Sequence, residues 1–211
     1  MNQQTPTISL GFTQERFPAG VHICQIYTED REREEALARF VESGLVAGER
    51  TSCFSDKKPE PVLSRHLAAH GMSLEERCSC GALTLAPTRD VYFKDDRFDP
   101  ERMLSVLTTY HEDSMRRGHR ACRVIGEMST KVQTVEGGNR LLEYESKVSM
   151  LLREHPITCV CQYDARAFSG AMIMDVLKVH PLMIIRGAVV RNPFFIPPEE
   201  FLAEGNSSRK V

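Results

Sequence analysis

Six short apolar runs, at residues 22–27, 51–55, 82–86, 121–126, 157–162 and 182–186, recur along the chain with helical patterns between them. No other feature limits the fold as much. Each run is rich in β-branched residues or cysteine, the composition of short strands. Strands joined through helices pair in parallel, and a parallel sheet needs helices on both faces. The pattern predicts a three-layer α/β/α domain with a mainly parallel central sheet.

The intervening helices have readable ends. Ala36, Leu37, Phe40, Val41 and Leu45 mark an amphipathic helix that closes at Ala47 and Gly48. Pro59 opens a helix through Leu63 and Leu67 that stops at His70 and Gly71. Asp99 and Pro100 supply an N-cap and a first-turn proline for a helix carrying Met103, Leu104, Leu107, Tyr110 and Met115 on one face. Asn139 starts another, with Leu141, Val148, Leu151 and Leu152 inward, and Ser169 begins the last, with Met172, Ile173, Val176 and Leu177. Residues 1–18 and 198–211 read as flexible tails on a single domain spanning 19–197.

After the first run, a nucleotide-hydrolysing α/β protein would carry a glycine-rich phosphate loop, G-x-x-x-x-G-K-[ST]. Here the junction is Thr28-Glu-Asp-Arg-Glu-Arg-Glu-Glu35. Five acids and no glycine cannot cradle a triphosphate, because the backbone cannot approach closely and the carboxylates repel its charge. That exclusion favours sensing or partner binding over hydrolysis. A net charge of −2 without a Lys/Arg stripe argues against sequence-independent nucleic-acid binding. Pro181-Leu-Met-Ile-Ile185 is far short of a membrane span, and residues 1–20 lack the pattern of a secretory signal, so the expected compartment is the cytoplasm.

Several pieces in fixed order carry a family resemblance. They are His22-Ile-Cys-Gln-Ile-Tyr27, Ala47-Gly-Glu-Arg50, Gly81-Ala-Leu-Thr-Leu85 with Tyr92, and Arg97-Phe-Asp-Pro100. Further along come Arg123-Val-Ile-Gly-Glu-Met128, Leu141-Leu-Glu-Tyr-Glu145, Cys161-Gln-Tyr-Asp164, His180-Pro181 and Arg191-Asn-Pro-Phe194. Together, over residues 20–195, the chain resembles the MEDS domain, the methanogen/methylotroph DcmR sensory domain. The resemblance implies a RecA/KaiC-like α/β fold without a working phosphate loop, used as the input module of bacterial and archaeal regulators and histidine kinases. It also implies a non-catalytic sensory or regulatory module that binds a small molecule, a partner regulator, or both. Two alternatives stay open: a nucleotide-binding switch or enzyme with a degenerate ATPase site, and a pure protein-interaction adaptor.

In an open α/β sheet the ligand crevice lies beyond the carboxyl ends of the strands, where strand order reverses. The residues expected there are Tyr27 and Thr28 after the first strand, Ser55 and Asp56 after the second, Glu127 after the fourth, and Gln162, Tyr163 and Asp164 after the fifth. Alternation means that the last three cannot all face one way. The chain offers no nucleophile with an evident base, and neither a cofactor nor a metal is expected.

His22 and Cys24 form H-x-C on one strand face, read as a histidine bonded to a backbone carbonyl rather than a metal pair. His180 ends a helix, where a cationic ring would meet the negative end of the dipole. The seven cysteines, including the weak C-x-C of Cys78 and Cys80, read as ordinary reduced thiols. The lysines of Ser55-Asp-Lys-Lys-Pro59 read as a solvated turn. Residues 191–198 place Phe194, Phe195 and Ile196 between prolines; they either pack across a sheet edge or form the best docking patch for a second copy or a separate kinase or transcription factor.

Overall fold

The computed structural model describes residues 6–208. An antiparallel ribbon of β1 (Thr7–Ser9) and β2 (Arg16–Pro18) precedes a seven-stranded sheet. The sheet strands in chain order are β3 (His22–Tyr27), β4 (Arg50–Phe54), β5 (Leu83–Ala86), β6 (Cys122–Glu127), β7 (Ile157–Asp164), β8 (Leu182–Ile185) and β9 (Ala188–Arg191). Their spatial order is β5-β4-β6-β7-β3-β8-β9, and all pairs are parallel except β8 with β9. All six sequence-predicted strands are present within two residues at either end. Helices α1 (Asp30–Val46), α2 (Glu60–Ala69), α3 (Leu74–Ser79), α4 (Thr88–Tyr92), α5 (Pro100–Arg116), α6 (Leu141–Glu154), α7 (Gly170–Lys178) and α8 (Pro198–Ser208) complete the fold.

Period-two alternation sends each buried strand's side chains into two separate cores. Ile23, Ile125 and Val160 meet Leu37, Phe40 and Val41 of α1 and Leu63 and Leu67 of α2 on one face. Cys24, Val124 and Cys159 meet Met103 and Leu107 of α5, Val148 and Leu152 of α6, and Val176 of α7 on the other. The three-layer α/β/α architecture is therefore as the strand and helix pattern predicts. Asp99 and Ser169 cap their helices by accepting from the amides of Arg102 at 3.1 Å and Met172 at 3.2 Å.

Three parts depart from the sequence reading. The 1–18 segment is not wholly a tail: residues 1–5 lie outside the described range, but Ile8 is 3 % exposed and Leu10 fully buried against the α1 side of the core. Pairing of β1 with β2 keeps Ile8 inward and satisfies backbone groups that a buried loop would strand. At the other end, 198–208 is helix rather than tail, with Pro198 and acids Glu199 and Glu200 in its first turn and an Arg153–Glu199 ion pair to α6. Residues 209–211 of that expected tail lie outside the described range. Strand β9 was also unforeseen. Arg186 (φ 49°) and Gly187 (φ 77°) both take positive φ, the requirement of a type I′ turn that reverses the chain into an antiparallel edge strand.

A buried guanidinium ties these pieces together. Arg123 of β6 is fully buried, and its Nε and Nη2 donate to Glu49 at 2.8 and 2.7 Å. Nη1 donates to Phe40 O and Ser43 Oγ of α1, both at 2.9 Å, and Nη2 also reaches Ser9 O at 3.0 Å. Its plane stacks over the Phe40 ring at 4.7 Å. Gly44 permits this approach, since a Cβ there would sit 2.7 Å from Arg123 Cδ.

Two stability measurements follow from this arrangement. Arg123→Met strands the Glu49 carboxylate in the interior and is expected to cost about 3–5 kcal/mol by urea unfolding. Leu10→Ala is expected to cost about 2–4 kcal/mol, where substitution in a solvated tail would leave the midpoint unchanged.

Candidate functional site

The chain leaves β3 through α1 toward β4 on one side, and leaves β7 through α7 toward β8 on the other. Strands β3 and β7 are neighbours, and α1 and α7 pack on opposite faces, so the strand order reverses between the carboxyl ends of β3 and β7. Tyr27, Glu127 and Asp164 are the final residues of β3, β6 and β7, and they converge there.

Glu127, 6 % exposed, is the centre of the cluster. Its Oε1 accepts a short hydrogen bond from the buried Tyr27 hydroxyl, and its Oε2 accepts from Ser55 Oγ at 2.7 Å. Lys57, from the β4–α2 loop, brings its ammonium to 3.0 Å from Glu127 Oε1, 2.9 Å from Tyr27 Oη, 3.1 Å from Asp164 Oδ2 and 3.2 Å from Asp30 Oδ1. Arg166 then bridges Asp164 at 2.7 Å and Asp30 at 3.0 Å. On the α1 side Arg33, 2 % exposed, places Nη1 4.0 Å from Glu127 Oε2, and its Nε and Nη1 have no hydrogen-bond partner.

These contacts shift the titrations in a consistent direction. Burial, reinforced by the Glu127 carboxylate, pushes the Tyr27 phenol above its usual range. Burial works against the Lys57 ammonium, but its bonds to Tyr27 and the carboxylates outweigh that and hold it charged. Arg166 holds Asp164 below the usual carboxylate range, and Lys57 and Arg166 do the same for Asp30. Beside the cluster opens a cavity of about 150 Å³, lined among others by Lys57, Thr88, Glu127, Met128 and Asp164.

The other residues expected at the crevice lie elsewhere. Gln162 is buried one layer deeper, donating to Gln25 Oε1 at 2.7 Å and Arg33 O at 3.2 Å under α1. Tyr163 points to the opposite face, where its hydroxyl donates to Glu145 at 2.7 Å. Thr28 is exposed and lines a separate cleft of about 480 Å³ with Gln25, Ile184 and Arg186, between α1 and the β8–β9 edge. Lys57 corrects the reading of its loop as a solvated turn: three acids and a phenol draw it inward. Neither Lys57 nor Arg166 carried a signal beyond its charge, since both sit in loops whose course depends on the assembled sheet.

His180 is also not the cationic cap expected at the helix end. The ring is fully buried, and burial together with neighbouring His22 holds it down to about 4, so it is neutral at pH 7. Nor does His22 bond a backbone carbonyl: its Nδ1 meets Ser149 Oγ at 2.8 Å. All seven cysteines are free thiols. Phe194 is 49 % exposed, with Phe195 and Ile196 part-buried. Their segment is held at the end of α7, where the Asn192 side-chain amide donates to Leu177 O and His180 O and the Ile196 amide donates to Lys178 O at 2.8 Å.

With this geometry in place, the class is clear: a RecA/KaiC-like α/β fold with a self-compensated charge cluster at the carboxyl ends of β3, β6 and β7. A family model for the MEthanogen/methylotroph, DcmR Sensory domain matches residues 21–181, and the chain belongs to that family. The transcriptional repressor DcmR of Methylorubrum extorquens is 25 % identical over 160 residues, covering 75 % of this chain and 57 % of the repressor. The chain thus spans a little over half the length of that curated relative. Among solved structures, a KaiC-like protein from Pyrococcus horikoshii superposes with a TM-score of 0.58 at 14 % identity, covering 85 % of this chain and 79 % of the other. The flagellar accessory protein FlaH of Methanocaldococcus jannaschii gives 0.55 at 11 %, covering 87 % and 83 %. At those identities the likeness is one of fold. The family assignment supports a sensory or regulatory role, and among the described residues no helix is long and apolar enough to cross a membrane.

One pH experiment checks the charge cluster. Asp164 and Asp30 titrate lower in the fold than in the unfolded chain, so their pairing stabilises above the usual carboxylate range and is lost as pH falls toward their folded values. Lys57→Met is therefore expected to destabilise by about 1–2 kcal/mol at pH 7, a modest figure because the ammonium is partly solvated. The difference in melting temperature from wild type should shrink as pH is lowered toward 3.

Proposed function

We propose that the chain is a non-catalytic sensory module that takes a small, largely uncharged polar molecule beside Glu127 and passes its state to a separate regulator. The observation that carries this reading is the cavity beside the charge cluster, about 150 Å³ and bordered by Lys57, Glu127 and Asp164. It is well under the roughly 300–1,000 Å³ of sites that enclose drug-sized ligands. Its cation is already matched by carboxylates, so a second anion gains little there, whereas a neutral group that hydrogen-bonds the lining side chains of Glu127 or Thr130 gains without separating charge. The acidic junction Thr28–Glu35 works against a triphosphate. The transcriptional repressor relative supports an output in transcription control; a separate transcription factor or kinase as receiver, in the cytoplasm, is part of the proposal.

Calorimetry and thermal shift with MgATP, MgGTP, formamide, methanol and formaldehyde test this. Nucleotides are expected to leave the melting temperature unchanged, and at least one one-carbon compound to raise it in wild type but not in Glu127→Gln. Micromolar nucleotide affinity, or steady hydrolysis lost in Glu127→Gln, overturns the reading in favour of a nucleotide switch. Half-exposed Phe194 favours a second reading, in which the 191–198 segment is the docking surface for a regulator or a second copy. Phe194→Ser with Phe195→Ser should then dissociate a folded protein from its partner.

A further inference from the structure

On the face of the sheet opposite the Glu127 cavity, four side chains from well-separated segments turn their donor atoms toward one point. They are His22 of β3, Glu145 of α6, Cys161 of β7 and His180, just beyond α7. His22 is 2 %, Glu145 1 % and His180 0 % exposed, and Cys161 is part-buried. We propose that they form a structural site for one tetrahedral divalent cation of the zinc class.

The spacing is the first argument. A tetrahedron of ligands about 2.0–2.3 Å from a metal has edges about 1.6 times as long, roughly 3.3–3.7 Å. His22 Nε2 lies 3.3 Å from Glu145 Oε2 and 3.5 Å from Cys161 Sγ; Glu145 Oε2 lies 3.7 Å from Cys161 Sγ and 3.6 Å from His180 Nε2. All four donor atoms lie within 4.8 Å of one another.

The second argument is independent of spacing. His180 Nδ1 is 2.8 Å from Val176 O, and a carbonyl only accepts, so the proton of the neutral ring is on Nδ1. Nε2 is then a bare lone pair. It has no hydrogen-bond partner, is fully buried, and faces a carboxylate oxygen that also carries lone pairs. His22 aims its Nε2 at the same Glu145 oxygen, 3.3 Å away, while its Nδ1 is held at 2.8 Å by Ser149 Oγ. An unpartnered, fully buried ring nitrogen turned toward a carboxylate that a second imidazole and a thiol also face makes a set of donors that one cation would satisfy together.

Charge and support agree. A dication with one thiolate, one carboxylate and two neutral imidazoles gives a buried cluster of net charge zero. Ser149, the Val176 carbonyl and the Tyr163 hydroxyl each hold a ligand's other polar atom, the outer contacts that orient metal ligands. Four protein donors leave no open position, so the site would clamp α6, β3, β7 and the α7–β8 connection rather than perform chemistry. This inference does not depend on the ligand proposed at Glu127.

The test uses the full chain, unfolded in chelator and refolded with zinc or cobalt in excess. One zinc per chain is expected by elemental analysis after desalting. With cobalt, a thiolate charge-transfer band should appear that persists in Cys78→Ser with Cys80→Ser and in His66→Ala, which disrupts the surface Glu42, His66, His70 group, and vanishes in Cys161→Ser. Ser149→Ala, which keeps all four ligands, should weaken zinc affinity about tenfold even if Cys161→Ser fails to fold. Wild type refolded without stoichiometric metal overturns the proposal, as does a cobalt band that survives Cys161→Ser or depends on Cys78 and Cys80.

Discussion

The architecture depends on one buried cation. Arg123 sits in the third strand of the sheet with every N–H of its guanidinium engaged, and its partners belong to three places: Glu49 ahead of β4, Phe40 and Ser43 in α1, and Ser9 at the end of β1. An ion taken from water into the interior is tolerated only when paired and fully hydrogen-bonded. That demand draws the N-terminal ribbon onto the sheet, fixes how deeply α1 lies, and requires the glycine at position 44. With α1 seated at that depth, its first turn brings Asp30 and Arg33 to the strand ends, where they meet Lys57, Arg166 and Glu127.

The strand-helix alternation was legible because buried parallel strands leave continuous apolar runs and helices leave capped 3.6-residue patterns. The ribbon and β9 were not. Thr7–Ser9 offers too few residues to show a period, and β9 is an edge strand in which Ala188, Val190 and Arg191 are exposed, so its composition resembles a loop. Helix α8 begins at Pro198 within a proline-rich stretch, which masked a good first helical position.

At the site, the rule that ligands gather beyond strand carboxyl ends identified Tyr27, Glu127 and Asp164, because each is the last residue of its strand. The same rule could not separate Gln162 and Tyr163 from Asp164, since strand ends blur by a residue or two while side chains alternate at every step. Lys57 lay beyond reach for a different reason. Nothing local distinguishes it from Lys58, and only the placement of Asp30, Glu127 and Asp164 on three other segments selects it. The His22, Glu145, Cys161 and His180 group shares that property: its members are spread over most of the chain, with no spacing to read.

Lys58, the neighbour of that selected lysine, has φ of +46° and is followed by Pro59. A side chain in the left-handed region is unfavourable by roughly 1–2 kcal/mol, and a following proline disfavours helical backbone further. The loop therefore holds a wound conformation that its own residues would abandon, and the ion pairs of Lys57 oppose the unwinding. Helix α2 starts two residues after Lys58. Charge at the strand ends and the seating of α2 are thus one mechanical system: the crevice carboxylates act as the catch of a small spring.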